Sequence, residues 1–332
     1  MRIALLGLGD IAQKAYLPLI AAMPGITPLL CTRQAAVLQQ LMQQYRIKEG
    51  YTELTQLIAA KPDAVMIHSS TDSHFAVATQ LLQAGIAVFI DKPLSYNLAE
   101  CEQLLALAQQ QNLPLFVGFN RRYAPLYQAA LATPPIQLHY QKNRYNLPAD
   151  SRTFIYDDFI HLLDFALYAG GVQNPAQLKP QVYGSYTGQQ LASVQVHWQY
   201  QGAAFSVSMN RIAGNSFERL EYFGANQHWQ IDNLVQGHYA ADNQQQLLGF
   251  NDWHNTLYKR GFVTMLQAFV AQLQQGGTNP AMNQAALCSH QLCEQVVLQL
   301  QQHSPAKKMA AQRVGTLSGQ LQQKVPRNRH TI

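Results

Sequence analysis

At 332 residues the chain is too long for one ordinary small domain and short for three, so two domains sharing a cleft are expected. Charged residues make up only 12% of it, and the net charge of +5 is concentrated at one end. Residues 304–332 carry Lys307, Lys308, Arg313, Lys324, Arg327 and Arg329 with no acid, so +5 less this +6 leaves −1 for residues 1–303, and a near-neutral body with a basic, solvated tail argues against nucleic acid as the partner.

Met1-Arg2 leads directly into Ile3–Leu6, a strand rather than the charged and apolar regions of a signal peptide. No run approaches the ~18 apolar residues of a membrane span, so a cytoplasmic protein is expected. Further strands are expected at Thr27–Cys31, Ala64–His68, Val88–Ile90 and Leu115–Gly118. Helices are expected between them at Asp10–Met23, Gln34–Tyr45, Leu54–Ala60, His74–Ala84 and Leu98–Gln110. This alternation, with short Gly- and Pro-containing loops, builds a parallel doubly wound sheet.

Between the first strand and helix stands Gly7-Leu8-Gly9-Asp10-Ile11-Ala12, a G-x-G-x-x-A pattern. Gly7 permits a tight turn, Gly9 lets the backbone approach a pyrophosphate, and Ala12 permits close helix packing, with the helix N-terminus of Asp10 and Ile11 supplying donors. The second strand ends in Cys31-Thr32-Arg33, about 20 residues beyond Ala12, where an NAD enzyme carries a carboxylate for the ribose. A hydroxyl followed by a guanidinium suits a 2′-phosphate, so NADP is favoured over NAD unless Arg33 merely decorates a loop. The strand at Val88–Ile90 runs into Asp91-Lys92-Pro93. A lysine there can reach a substrate oxygen beside the cofactor, or it is an ordinary strand-end lysine.

After Tyr123 the rhythm changes, with Pro125, Pro134 and Pro135 marking a connection into a strand at Ile136–Tyr145 and then a helix from about Tyr156 to Ala169. From Gln181 to Leu234, β-branched and aromatic residues alternate with polar ones, as in a half-exposed antiparallel sheet. Helices at Phe262–Gln275 and Asn283–Gln302 follow. The fold class is therefore α/β: a Rossmann doubly wound parallel sheet at 1–120, an α+β domain on a largely antiparallel sheet at 121–303, and a basic, flexible tail at 304–332. Cys31, Cys101, Cys288 and Cys293 show neither C-x-x-C nor zinc spacing, so reduced, mostly buried thiols and no structural metal are expected.

In the run from Asp157 and Asp158 through Phe159 to His161 and Asp164, Asp157 and His161 stand four apart on one helical face. Histidine near its ordinary pKa suits removal of a hydroxyl proton as hydride leaves the same carbon. The other readings are a capping Asp with a core His, or a metal pair, for which no third ligand cluster is near in sequence. Lys142, Arg144 and Arg152 either hold an acidic or phosphorylated substrate or are exposed strand-edge charges.

Taken together, these motifs resemble the Gfo/Idh/MocA family of glucose-fructose oxidoreductase and inositol dehydrogenase, most closely its MviM-like branch, over roughly residues 1–300. The resemblance rests on Gly7 to Ala12, on Asp91-Lys92-Pro93 for the family's Glu-Lys-Pro, on Val117 to Tyr123, and on Asp157-x-x-x-His161-x-x-Asp164. It implies an NAD(P)-dependent oxidoreductase moving hydride between a nicotinamide and a small polyol, sugar or related hydroxy/keto substrate. Lys92 and His161 would be the catalytic pair, Asp157 a partner for a substrate hydroxyl, and Asn120 and Arg121 neighbours of the nicotinamide or substrate. Ser69, Ser70, Thr71 and His74 would belong to a loop passing the cofactor, and a homodimer or homotetramer is implied. Two departures, Phe159 where the family often has glycine and Ser151–Tyr156 in place of a Gly-rich lead-in, imply a bulkier pocket wall or a different substrate shape. The alternative is a cofactor-binding regulatory or scaffolding protein with a vestigial site, against which intact Lys92 and His161 count. No S-x-x-K or G-x-S-x-G nucleophile supports a transferase or hydrolase.

Overall fold

Strands such as Ile3–Leu6 and Ala64–Ile67 are apolar on both faces, as a sheet covered by helices on two sides requires. In the computed structural model, which describes residues 1–302, β1 (Arg2–Leu6), β2 (Thr27–Cys31), β3 (Glu49–Tyr51), β4 (Ala64–Ile67), β5 (Ala87–Ile90) and β6 (Leu115–Val117) form an all-parallel sheet. Their order is β3-β2-β1-β4-β5-β6, so the winding reverses between β1 and β4, where doubly wound sheets bind ligands. The edge strand β3 has only three residues and no apolar alternation, and the sequence gives no sign of it. The expected basic tail lies outside the described residues.

The second sheet comprises β7 (Gln137–Asn143), β8 (Gln181–Thr187), β9 (Gln190–Tyr200), β10 (Ala203–Asn210), β11 (Phe217–Gly224), β12 (Gln227–Asp232), β13 (Gln236–Ala241) and β14 (Gln244–Leu248). Its order is β14-β13-β12-β11-β7-β10-β9-β8, and only the β7–β10 pair is parallel. Alternate residues of β10, namely Ala203, Phe205, Val207 and Met209, are buried. The helix Ile160–Ala169 packs on this sheet, with the Phe165 ring 5.6 Å from that of Tyr140. Pro125 opens a helix, Pro125–Leu131, instead of marking an open connection, because proline is well placed in a first helical turn.

The helices Phe262–Gln275 and Pro280–Gln302 return to the first sheet. Phe269 sets its ring 5.2 Å from Phe89 and 5.6 Å from Phe116. Cys288, Leu292 and Cys293 share a core with Cys101 and Leu104 of the helix Leu98–Gln110. All four cysteines are free and buried. Among the described residues no helix is long and apolar enough to cross a membrane.

Candidate active site

Gly7 follows β1 with φ +86°, and a Cβ there would stand 2.4 Å from the Ser69 backbone nitrogen, so this turn requires glycine. A Cβ on Gly9 would meet nothing within 4 Å, which leaves the room a pyrophosphate needs beside the backbone. Gln13 N donates to Gly9 O at 3.1 Å, so Asp10, Ile11 and the buried Ala12 occupy a helix N-terminus, where anions are stabilised. Gly7, Gly9, Thr32, Arg33, Ser69 and Ser70 line one groove of about 520 Å³. These residues fit a dinucleotide, with the exposed Arg33 beside Thr32 at the end of β2.

Ser70 stands at the N-terminal boundary of the helix Thr71–Gln83 without a side-chain capping bond, and its neighbour Ser69 is hydroxyl-bonded to Ser73 at 2.6 Å. His74 is buried, with Nδ1 2.8 Å from the Pro93 carbonyl and Nε2 3.0 Å from that of Ser69. It thus ties the loop after β4 to the turn after β5. Burial lowers its pKa, although both carbonyls favour the protonated ring. In the adjoining turn Asp91 Oδ1 accepts from Tyr16 Oη at 3.2 Å and Lys92 N at 3.0 Å, and the Lys92–Pro93 peptide is cis.

Lys92, Asp157 and His161 line a single cavity of about 420 Å³, together with Arg144, Asp158 and Arg211. Residues from the two sheets' territories therefore meet at one opening. Lys92 Nζ donates to the Asp157 carbonyl at 2.5 Å, and Tyr96 Oη donates to Asp157 Oδ1 at 2.6 Å. The helix carrying Asp157 begins earlier than expected, at Ser151, where Asp150 accepts from Arg152 N and Thr153 N at 3.0 Å each; the cap is thus Asp150, not Asp157. Over Ile155–Phe159 it widens into a π-turn, a feature frequent at functional sites, and the consecutive carboxylates of Asp157 and Asp158 both reach the cavity with His161.

His161 is buried, its Nε2 lies 3.4 Å from Arg121 Nη1, and its Nδ1 has no partner among the described residues. Arginine can only donate, so Nε2 is the acceptor. Burial, then the charges of Arg121, Lys92, Lys142 and Arg144, hold the imidazole pKa well below its ordinary 6.5. The ring is therefore neutral at physiological pH. Arg121 is pinned by Glu218, with Nε and Nη2 donating at 3.2 and 3.0 Å, and Asn120 bridges Arg121 to the Arg260 carbonyl. Burial alone would raise the Glu218 pKa, but Arg121 and Lys142 bring it down to about 2.

Of the three basic residues singled out in sequence, only Arg144 lines the cavity, with Nε 2.9 Å from Asp158 Oδ2. Lys142 is buried against Asp158 and is no exposed strand-edge charge; burial, then Arg121, lowers its pKa to about 7. Arg152 turns away to Glu294, at 2.7 and 2.8 Å. Asp164 belongs to the core, bound to Arg122 at 2.9 and 2.5 Å and to Ser289 at 2.8 Å. Sequence reasoning missed Tyr96, Arg211 and Glu218. For Glu218 a signal existed: it stands in the inward series with Leu220 and Tyr222 of β11, where a carboxylate is out of place without a partner.

Known proteins resemble the chain along most of its length. A family model described as an oxidoreductase family with an NAD-binding Rossmann fold matches residues 1–119, and a YceM-like C-terminal domain model matches residues 122–242. A protein named oxidoreductase YceM, from Salmonella typhimurium, is 32% identical over 89% of this chain and 96% of its own. The UDP-N-acetylglucosamine 3-dehydrogenase of Acidithiobacillus ferrooxidans is 27% identical over 53% of this chain and 58% of its own. Among solved structures, a Gfo/Idh/MocA family oxidoreductase from Vibrio cholerae superposes with a TM-score of 0.87 at 37% identity, over 91% of this chain and 99% of that one.

Proposed function

Because the chain belongs to the Gfo/Idh/MocA family of NAD-binding oxidoreductases, we propose that it moves hydride between a nicotinamide cofactor, NADP in preference to NAD, and a carbon of a polyol, sugar or related hydroxy/keto compound. One observation carries this: Lys92 and His161 line the same cavity, with the glycine-cornered groove on the same sheet as Lys92. A relative named for dehydrogenation of UDP-N-acetylglucosamine supports the sugar class. The first sheet serves the cofactor and the second the substrate. A homodimer or homotetramer would form through the outer face of the second sheet, which sedimentation of the purified chain reads directly.

When bound, the nicotinamide supplies the hydride acceptor or donor. In oxidation, neutral His161 takes the substrate hydroxyl proton at Nε2, where the hydroxyl replaces the long contact with Arg121. Lys92 uses one ammonium hydrogen on the Asp157 carbonyl and has two left to orient the reacting oxygen and stabilise its developing negative charge. Asp157, with one carboxylate oxygen on Tyr96, presents the other to a neighbouring hydroxyl. Thr32 and Arg33, which line the groove, would hold an adenosine 2′-phosphate, Arg33 through its guanidinium.

The test is a screen of nicotinamide absorbance against sugars, cyclitols and their phosphates, followed by variants on the best substrate. Lys92→Ala and His161→Ala should each lower turnover by about 10²-fold or more, with cofactor affinity little changed. Since both serve one proton transfer, the double variant should lose much less than the product of the two. A His161→Ala enzyme with full turnover overturns the assignment. Arg33→Ala should weaken NADPH by about 1–3 kcal/mol and leave NADH binding alone, and equal affinity of the wild type for both cofactors would refute the preference.

A further inference from the structure

One carboxylate, Asp158, is shared by three cations. Lys142 and Arg144 take both of its oxygens, Arg144 at 2.9 and 3.2 Å, while Arg211 Nη2 remains 3.9 Å away, beyond hydrogen-bond reach. The Arg211 side chain is only 7% exposed, and its Nε and Nη1 have no acceptor among the described residues. Its guanidinium lies over the Phe154 ring at 5.0 Å, which offers only a weak substitute for a counter-ion.

The backbone fixes this residue at the cavity. Arg211 N donates to Ala192 O at 2.8 Å, and Arg211 O accepts from Leu147 N at 2.7 Å, so the strand end is tied to the segment that lines the opening. The cavity wall then holds Lys92, Arg144 and Arg211 against Asp157 and Asp158, and buried Lys142 stands directly behind them. Arg121 and Glu218 cancel one another. Three cations thus face two carboxylates with Lys142 behind them, and the buried Arg211 among them lacks an acceptor of its own, an imbalance a protein tolerates poorly without a partner anion.

We propose that the substrate carries an oxyanion, a carboxylate or a phosphate, held by Arg211 and Arg144 at the wall of the cavity that contains Lys92 and His161. The proposal rests on that cavity being the substrate site. A neutral polyol could accept from the Arg211 donors but would leave the excess charge uncompensated. A planar guanidinium matches either anion through paired N–H groups, which makes Arg211 a specificity-determining residue rather than a catalytic one.

Calorimetric titration of the full chain, saturated with its tighter-binding nicotinamide cofactor so that the adenosine-phosphate groove is filled, tests this with three probes: glucose 6-phosphate, glucuronate and glucose. At least one of the two anions should bind tenfold or more tightly than glucose, and which one does so distinguishes a phosphate from a carboxylate. Arg211→Ala should reduce the preferred anion to the glucose level, and Arg211→Lys should retain an intermediate preference. Arg144→Gln, at a partly exposed position, should lower the preference severalfold and covers the case in which Arg211→Ala does not fold, as read by its melting curve. Glucose binding as tightly as both anions, absence of binding by either anion, or an unchanged preference in a folded Arg211→Ala protein overturns the proposal. Since binding is read without turnover, anion preference with no hydride transfer would sink the proposed reaction alone. Turnover of neutral polyols with a kcat/KM higher than that of the matching phosphates and carboxylates would sink the anion site alone.

Discussion

Burial at His161 strips water from the ring, and the surrounding cations then make its protonated form costlier still. Of the three other buried histidines, two have a large shift of the same sign: His68, with neither ring nitrogen partnered among the described residues and its pKa pushed by burial to about 3, and His290, lowered by burial to about 4. Unfolded, each takes a proton near pH 6.5, while folded it does not until far lower, so the unfolded state binds more protons in between. Stability is therefore whole above pH 6.5 and lost as pH falls towards 4, by up to about 1.4 kcal/mol per pH unit for each ring. His68→Phe, placed between Tyr16 and Phe89, removes one such ring, and urea unfolding at several pH values between 6.5 and 4 should show a correspondingly shallower slope. An unchanged slope would mean that His68 is protonated in the folded protein. At this scale Lys92, Asp157 and His161 were legible because their spacing places them at a strand end and on one helical face. Tyr96 and Arg211 were not, since only tertiary packing brings them to that face.

The two glycines of the first turn separate folding from binding. Gly7→Ala forces a Cβ into the Ser69 backbone at positive φ and should cost about 2 kcal/mol or more in chemical denaturation. Gly9→Val places its side chain in open space, so the melting temperature should hold while cofactor affinity falls by about tenfold or more, given that 1.4 kcal/mol is tenfold. Equal loss of stability in both would refute the distinction. The pattern of apolar runs announced five of the six parallel strands and the last two helices, because burial on both faces leaves a continuous signal. It could not announce β13 and β14: Gln244, Gln245 and Gln246 of β14 present no apolar alternation, and pairing of β13 with β12 and of β14 with β13 supplies the order. The π-turn at Ile155–Phe159 was equally invisible, since one extra residue in a turn leaves no trace in composition.

Across the whole molecule, a division at residue 120 separates the sheets but not their coverings. The helix Pro280–Gln302 reaches both elements of the proposed catalytic pair: His290 Nε2 accepts from Leu94 N at 2.9 Å, two residues after Lys92, and Ser289 donates to Asp164 at 2.8 Å, one turn after His161. Glu294 meanwhile holds Arg152 and Tyr156 at 2.7 to 2.8 Å. A chain ending at residue 279 should therefore be recovered as an aggregating, dye-binding species, because the apolar face of Leu98–Gln110 is left bare. A soluble, cooperatively melting product would show the helix to be dispensable. For a polypeptide made from its N-terminus, this places the decisive contacts last. The ribosome releases β1 to β6 long before the segment that closes over them, so the nascent chain spends most of its synthesis with that face uncovered and in need of protection by other proteins.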